Sequence, residues 1–224
     1  SQVPGQRERR INTRTGGLNV LTYIYLIAIT AEAMSGALAA GRRNMDMFGV
    51  SVIAFITALG GGTIRDILLG HFPVSWTQHP EYIYLTVSAG LITILLARFM
   101  HHLHRIFLLL DAMGLIAFTI IGCNVALELG YSTPVVVMAG MITGIFGGIL
   151  RDILCQRVPV VFRHELYASI SLLVALLYLQ LEKMGLNHDL NLLLSFATGI
   201  LMRVAAIYWH WSLPVFSYAP GRWK

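Results

Sequence analysis

The chain has 224 residues, of which 56% are hydrophobic and only 12% are charged, and its mean hydropathy is +0.69. Soluble domains carry about twice that share of charged residues, so the composition excludes an ordinary soluble or disordered protein and predicts an integral membrane protein built from helices. The net charge of +5 does not indicate nucleic-acid binding, because the 16 Lys and Arg residues lie in short clusters between apolar segments and form no basic face.

Seven apolar segments are long enough to be interpreted as membrane-spanning helices, since a hydrocarbon core about 30 Å thick needs about 20 helical residues. We predict these helices at residues 19–40, 48–70, 80–98, 107–128, 134–155, 164–182 and 190–211. The segments between them are short, so we expect no sizeable soluble domain.

The first predicted helix has a second interpretation. Several arginines precede it, and Ala31-Glu32-Ala33 imitates the A-x-A cleavage site of a signal peptide. We favour an uncleaved helix, because apolar residues continue to Ala40 and because the internal repeat described next includes this segment.

The chain repeats itself at an offset of 86 residues. Residues 61–74 align with residues 147–160 with eight identities in fourteen positions, including a Gly-Gly-x-x-Arg-Asp-Ile-Leu pattern and a Pro-Val pair. Helices one to three therefore correspond to helices four to six, and the seventh is left over. Because each unit has an odd number of helices, the second unit enters the membrane from the opposite side, which predicts an inverted-topology repeat with a pathway between the two units.

The fold class predicted is all-α and integral to the membrane, with two inverted repeats of three transmembrane helices and a seventh helix. The segments are a polar N-terminal tail at 1–18, the first three-helix repeat at 19–98, a basic linker loop at 99–106, the second repeat at 107–182, the seventh helix at 190–211 and a C-terminal tail at 212–224. Eight Lys and Arg residues lie on the side of the C-terminus and five on the other side. The positive-inside rule then places the C-terminus in the cytoplasm and the N-terminus outside.

Glycine runs lie midway along the second and fifth predicted helices. Each glycine costs about 1 kcal/mol relative to alanine in a helix, and consecutive glycines favour a kink with unpaired carbonyls. In lipid, such a kink is tolerated only beside protein or a water-filled cavity, so we expect a polar pathway there. Small residues four apart also indicate close helix packing, and we expect both roles. The candidate pore residues are Gly60, Gly61, Gly62, Phe146, Gly147 and Gly148.

Two Arg-Asp pairs follow the glycine runs by about one turn. Left bare at the centre of a span, each of these charges would cost about 2.5–3.5 kcal/mol. Adjacent residues point about 100° apart on a helix, so each side chain is expected to pair across the bundle or with a carbonyl freed at the opposite kink. The pairs would flank the glycines as balanced charges, and snorkelling to the interface is the alternative. They are Arg65 with Asp66, and Arg151 with Asp152.

Other polar positions have weaker signals. Glu32 lies deep in the first predicted helix and needs a partner, such as Arg65 or Arg203, and its role is either to line the pathway or structural. We expect Asp111 at the membrane interface and a snorkelling Arg203. The histidines at 101–104 favour a solvated basic loop over a metal site. Because the chain has no Ser/His/Asp group or phosphate-binding glycine loop, we expect no enzyme activity.

At these residues the chain resembles the trimeric intracellular cation (TRIC) channel family. The similarity is to its prokaryotic branch, which is also described as a glycine transporter family with a duplicated three-helix unit. It covers about residues 20–210. The motifs that carry it are Ala39-Ala40-Gly41-Arg42-Arg43, Ala58-Leu59-Gly60-Gly61-Gly62-Thr63-Ile64-Arg65-Asp66, Gly147-Gly148-Ile149-Leu150-Arg151-Asp152 and Glu165-Leu166-Tyr167-Ala168.

The resemblance implies a seven-helix protomer assembled as a homotrimer in a prokaryotic plasma (inner) membrane. Each protomer would have its own pore between the kinked second and fifth helices and would conduct K+ and other monovalent cations. The implied partners are the chain itself, membrane lipids and monovalent cations, with no nucleic acid. No cofactor is implied beyond permeant K+ or Na+ and bound lipid.

The chain departs from the family pattern at two points. Phe146 stands where the first repeat has Gly60, so the narrow part of the pore is expected to be asymmetric or occluded. The lysines are limited to Lys183 and Lys224, so the lysine-containing phosphoinositide contact of animal members is not carried over. Because each Arg-Asp pair is neutral overall, the preference for cations comes from the resemblance. The alternative functions are a secondary transporter for a small zwitterion such as glycine and a structural or lipid-binding membrane protein.

Overall fold

The computed structural model describes residues 20–99, 102–162, 166–209 and 211, and these residues form helices joined by short turns. Among these residues seven helices have 16 residues or more, and each of them overlaps one of the seven predicted segments. The α-helices are α1 (Val20–Gly41), α2 (Met47–Leu69), α3 (Ser75–Gln78), α4 (Glu81–Ala97), α5 (Leu103–Glu128), α6 (Thr133–Leu154), α7 (Ala168–Lys183) and α8 (His188–Tyr208). A 3-10 turn covers Val160–Phe162.

Five of these helices, α1, α2, α5, α6 and α8, are long and apolar enough to cross a membrane. Helix α4 is a shorter apolar helix of 17 residues, and α7 has 16 residues. At 1.5 Å per residue these two helices reach about 24–26 Å, somewhat less than the thickness of a hydrocarbon core. The protein is therefore a membrane protein with several apolar helices.

Two predicted boundaries differ from the structure. Helix α5 begins at Leu103, so the predicted linker loop at 99–106 is wrong over its second half, where exposed polar side chains form the first turn of a helix. Helix α7 begins at Ala168, and residues 166 and 167 before it are not helical. Helix α3 and the 3-10 turn were not predicted, because a single turn is too short to have a periodicity. The predicted tails at 1–18 and 212–224 lie outside the described residues.

Local signals set the ends of α2 and α6. The Asp46 carboxylate accepts a hydrogen bond from the Gly49 backbone N–H at 2.7 Å and caps the start of α2. Gly70 ends that helix in the left-handed conformation, with φ of 64°. Helix α6 starts after Ser132 with Pro134 in its first turn, where the missing N–H of proline costs no helical hydrogen bond.

The core is a four-helix arrangement of α1, α2, α5 and α6. Helix α1 packs against α2 and α5, and α6 packs against the same two helices. Helix α4 lies against α1 and α2, while α7 lies against α5 and α6, so corresponding helices of the two predicted repeats make corresponding contacts. Helix α8 packs against α5 and α7 and has no counterpart.

Small residues allow these helices to approach closely. Gly36 of α1 lies against Thr57 of α2, and Gly122 of α5 lies against Thr143 of α6, at positions 86 apart in both helices. A methyl group at either glycine would collide with the threonine side chain. The predicted small-residue packing is therefore observed in both halves of the molecule.

Candidate functional site

Helices α2 and α6 touch through their backbones at the centre of the molecule. Gly61 lies against the carbonyl group of Thr143, and Gly147 lies against the carbonyl group of Thr57. Neither glycine has room for a methyl group, because the opposite backbone occupies that space. We call this reciprocal arrangement of Gly61, Thr143, Gly147 and Thr57 the glycine contact.

Neither helix breaks at its glycines. Helix α2 is a continuous α-helix from Met47 to Leu69, and α6 is continuous from Thr133 to Leu154. The predicted kink therefore does not interrupt either helix in this conformation. The glycines instead remove side chains from the surfaces where the two helices meet, which is the packing role that was expected beside the kink.

The positions next to the glycine contact differ between the two helices. Gly60 of α2 lies against the side chain of Leu150 from α6. Phe146, at the corresponding position of α6, is half-buried. The reciprocal contact is thus limited to the glycines at 61 and 147.

A second glycine in each run makes room for an arginine. The guanidinium group of Arg65 lies over Gly62, where an added methyl carbon would be 3.7 Å from it. The guanidinium group of Arg151 lies over Gly148 in the same way, at 3.5 Å. Each arginine is therefore folded back along its own helix toward the glycine contact.

Arg65 and Asp66 form a buried pair with balanced charges. The Nε and Nη2 atoms of Arg65 donate to Oδ1 of Asp66 at 2.9 and 2.6 Å. The other carboxylate oxygen accepts from the backbone N–H and the hydroxyl group of Ser75 at 2.9 and 2.7 Å. His71 Nδ1 also lies 3.2 Å from Oδ1. Every oxygen of this carboxylate has a partner.

Arg151 lies at the centre of a larger group, in which acidic side chains outnumber it. Its Nε donates to Asp152 at 2.9 Å, and its Nη1 donates to Asp111 at 2.6 Å. The same Nη1 lies 3.2 Å from the hydroxyl oxygen of Ser35 and 4.0 Å from Oε2 of Glu32. We call these five residues the Arg151 cluster.

The predicted pairing of these charges is corrected in one respect. Each arginine bonds to the aspartate that follows it, although adjacent side chains leave a helix in different directions. The guanidinium group is long enough to curl back to its neighbour, which the backbone geometry alone does not reveal. Arg151 also pairs across the bundle with α5, as expected. Since Arg65 is 3% exposed and Arg151 is fully buried, neither snorkels.

Three further polar residues have surroundings that were not expected. The arginine recorded within salt-bridge distance of Glu32 is Arg151, at 4.0 Å, whereas Arg65 or Arg203 was expected. Asp111 is fully buried within the protein, and α5 begins two turns before it, earlier than predicted. Arg203 is also fully buried, with its guanidinium carbon 4.9 Å from the centre of the Tyr167 ring.

Sequence reasoning missed two other members of this region. The hydroxyl group of Tyr167, which precedes α7, lies 3.3 Å from the Asp111 carboxylate. Phe107 lies between two arginines, with its ring centre 4.7 Å from the Arg151 guanidinium carbon and 5.1 Å from that of Arg42. Tyr167 lies in one of the motifs that carry the resemblance, but the motif assigned it no contact, and Phe107 has no signal in the sequence that separates it from an ordinary core residue.

Two cavities lead to the glycine contact from the Arg65 side among the described residues. A cavity of about 200 Å³ opens beside α1 and α4 and is lined by Thr22, Tyr25, Arg65, Ser75 and Tyr82 among others. It shares Arg65 with a small cavity of about 10 Å³ that extends to Gly62 and Thr143. On the Arg151 side, the gap between α6 and Tyr167 has no room for a water molecule. Within the described residues, the cavities on the Arg65 side therefore do not continue through this gap in this conformation.

A family model described as Glycine transporter matches the chain twice, at residues 22–98 and 108–183. The chain belongs to this family. The two matches start and end within three residues of the predicted repeats at 19–98 and 107–182. The family model thus matches two stretches of similar length, and the division of the chain into these repeats stays a prediction.

Bacterial relatives of the family cover most of the chain. A UPF0126 membrane protein of Vibrio cholerae is 38% identical over 200 residues, which are 89% of this chain and 84% of that protein. The UPF0126 inner membrane protein YadS of Escherichia coli K12 is 35% identical over 197 residues, which are 87% of this chain and 95% of that protein.

Solved structures of TRIC channels match the fold. The TRIC orthologue of Rhodobacter sphaeroides superimposes with a TM-score of 0.82 at 34% identity, over 85% of this chain and 98% of that one. A prokaryotic TRIC channel crystallised in 0.5 M KCl superimposes with a TM-score of 0.81 at 30% identity, over 87% of this chain and 98% of that one. A TRIC channel of C. elegans superimposes with a TM-score of 0.59 at 14% identity, and this similarity concerns the fold alone. The resemblance to prokaryotic TRIC channels is confirmed.

Proposed function

We propose that this family member is a monovalent-cation channel that conducts K+, with one pore in each protomer of a homotrimer. The observation that carries the proposal is the match to the Rhodobacter sphaeroides TRIC orthologue over 98% of its length at 34% identity. That protein is described as a trimeric intracellular cation channel. The proposal includes no enzyme activity and no cofactor besides permeant ions and bound lipid.

We place the pore between α2 and α6. Two buried arginine–aspartate pairs lie on either side of the glycine contact, and charges at that depth are typical of ion pathways. Carbonyl oxygens of Thr57 and Thr143 already face the opposite helix there, and carbonyls can replace the hydration shell of a cation. The pore residues proposed are Gly60, Gly61, Gly62, Phe146, Gly147 and Gly148, flanked by Arg65, Asp66, Arg151, Asp152 and Glu32.

The conformation described is the closed one in this proposal. The open cavity ends at the small space beside Arg65, and the backbones of α2 and α6 touch beyond it. Opening then requires the two helices to separate at Gly61 and Gly147. Because the glycines have no side chains, a small separation uncovers backbone carbonyls directly.

We further propose that the two repeats are inverted in a bacterial inner membrane. Three helices per unit, α1, α2 and α4 and then α5, α6 and α7, would place the second unit upside down relative to the first, with α8 as the last of seven spans. The reciprocal contacts of Gly61 and Gly147 fit a two-fold axis between the units. The C-terminus would lie in the cytoplasm and the N-terminus outside, and the Escherichia coli relative is described as an inner membrane protein.

A second candidate function is a transporter for a small zwitterion such as glycine. The description of the matching family as Glycine transporter favours it. A cavity that is open at one end and closed at the other also fits a transporter between transport steps. The two functions differ in turnover, because a pore passes many ions for each opening and a transporter saturates.

Flux into vesicles that contain the purified protein separates these functions. We expect K+ to enter the vesicles down its gradient, with little Cl− flux and no saturable glycine uptake. Protein-free vesicles measure the leak. Saturable glycine uptake without K+ flux would contradict the channel and support the transporter.

A further inference from the structure

Three buried carboxyl groups surround the guanidinium group of Arg151. Glu32, Asp111 and Asp152 supply them, and all four side chains are buried, with at most 4% of each residue exposed. Buried carboxylates in excess of their nearest cation are strongly unfavourable, so further positive charge is needed to balance this cluster.

The acidic group without a close basic partner is Glu32. Nε and Nη1 of Arg151 donate to Asp152 and Asp111 at 2.9 and 2.6 Å, whereas the distance from Nη1 to Glu32 is 4.0 Å, and Nη2 has no hydrogen-bond partner among the described residues. The nearest donor to Glu32 is the hydroxyl group of Ser35, 3.1 Å from Oε2. Arg203 approaches this region through the Tyr167 ring.

Two carboxyl oxygens in the cluster have no hydrogen-bond partner among the described residues. They are Oε1 of Glu32 and Oδ2 of Asp111, and both atoms are buried. The Glu32 carboxyl group is pressed against the backbone of Gly114, one turn along α5 from Asp111. Both carboxyl groups also approach the same nitrogen of Arg151, at 4.0 and 2.6 Å. They therefore lie close enough to repel each other when both are ionised.

A proton fits the observations at this site best. Glu32 and Asp111 are only 1% and 0% exposed, and the neighbouring gap beside Arg151, Asp152 and Tyr167 does not admit a water-sized sphere. A proton needs no cavity. Two neighbouring carboxyl groups that share one proton are a known solution for like charges in a dry site.

We propose that Glu32 and Asp111 form a binding site for one proton, that this proton is bound in the closed conformation, and that its loss favours opening. With the proton bound, Glu32 and Asp111 together carry one negative charge beside Nη1 of Arg151. Without it, Glu32 and Asp111 repel each other across the α1–α5 contact. Proton binding by Glu32 and Asp111 does not depend on what the protein transports, whereas the effect on opening rests on the proposed channel function.

The other half of the molecule has no equivalent site. At the offset of 86 residues, Tyr25 corresponds to Asp111 and Phe118 corresponds to Glu32. The charged groups of α2, Arg65 and Asp66, are paired with each other on the far side of the glycine contact. Helix α4 contributes no buried charged residue to the face that packs on α1. Proton binding is therefore expected from the second repeat only.

Infrared spectroscopy of the full-length protein in vesicles tests proton binding without any assumption about transport. At neutral pH the wild-type protein should have the C=O stretching band of a protonated carboxylic acid, shifted in D2O. The band should be lost in Glu32→Gln and kept in Glu81→Gln, which removes the exposed carboxylate at the start of α4. A band that is absent in the wild type, or unchanged in Glu32→Gln, would overturn the proton site.

Currents measured at several pH values test the consequence for opening. Wild-type and Glu81→Gln currents should increase as the pH is raised, because loss of the proton favours the open state. Glu32→Gln should lose this pH dependence and keep the low current seen at acidic pH, because the amide is neutral at every pH. A pH dependence that survives in Glu32→Gln overturns the link to opening. If no K+ current exists at any pH but the infrared band is present, the channel function fails and the proton site stands.

Discussion

Arg65 and Arg151 occupy corresponding positions in the two repeats but have different surroundings. Arg65 is bound by a single carboxylate, which has its own donors from Ser75. Arg151 has three carboxyl groups around it, one from each of α1, α5 and α6. Arginine therefore forms a single ion pair in one half and lies at the centre of three carboxyl groups in the other.

This difference predicts unequal costs when the arginines are removed. Arg151→Met should destabilise the protein by about 3–5 kcal/mol, because it leaves three buried carboxyl groups without their central cation. Arg65→Met should cost less, because Asp66 keeps two hydrogen bonds from Ser75 and the contact with His71. Unfolding temperatures of both variants in the same detergent measure the difference. An equal or larger loss for Arg65→Met would contradict this account of the cluster.

The sequence predicted which charges matter better than it predicted how they pair. The 86-residue offset identified Arg65 and Arg151 as equivalents, since internal similarity does not depend on side-chain conformation. It could not identify Asp111, whose importance depends on where α5 begins and on the cross-bundle reach of Arg151. Pairing within the Arg-Asp dipeptides was missed because a direction on a helical wheel says nothing about a side chain that folds back.

At the scale of elements, α2 and α6 are the helices on which the proposal depends. Their glycines were expected to break each helix, and they instead join the two helices. Glycine can either weaken a helix or allow a neighbouring helix to pack closely, so the choice between these two roles depends on which group of the neighbouring helix faces the glycine. Here the opposite group is a backbone carbonyl, from Thr143 in one case and from Thr57 in the other.

Adjacent glycines of α2 give a matched test of this contact. Gly61→Ala should destabilise the protein by about 1–3 kcal/mol, because the new methyl group meets the backbone of Thr143. Gly62→Ala should be neutral or stabilising by up to about 1 kcal/mol, because its methyl group faces only the flexible Arg65 guanidinium at 3.7 Å. The unfolding temperatures of the two variants, measured in the same detergent, test whether Gly61→Ala is the less stable. Equal stabilities would show that α2 and α6 are not in contact at Gly61.

At the scale of the whole molecule, the helices of the two repeats pack in corresponding ways, but the cavities and buried side chains differ between the two halves. One half has an open cavity of about 200 Å³ that ends at Arg65, and the other half is packed around Arg151. A cavity that opens at one end and stops inside the protein fits the closed state of the proposed channel. The corresponding helices could be predicted from the internal similarity of the sequence. The cavity could not, because it is lined by side chains of α1, α4 and α5 that belong to no common sequence motif.

The central claim is that ions pass through the protomer by way of the cavity beside Arg65. Neighbouring residues of α1 test it, because Thr22 lines this cavity and Tyr23 is 52% exposed on the outer surface of the helix. The native Cys123 and Cys155 are buried, so a thiol reagent should leave wild-type currents unchanged.

The decisive measurement is the K+ current of each variant in planar bilayers, before and after a positively charged thiol reagent is added. The account predicts that the Thr22→Cys current is blocked and that the Tyr23→Cys current persists. Equal responses of the two variants, or an unaffected Thr22→Cys current, would contradict a pathway through this cavity.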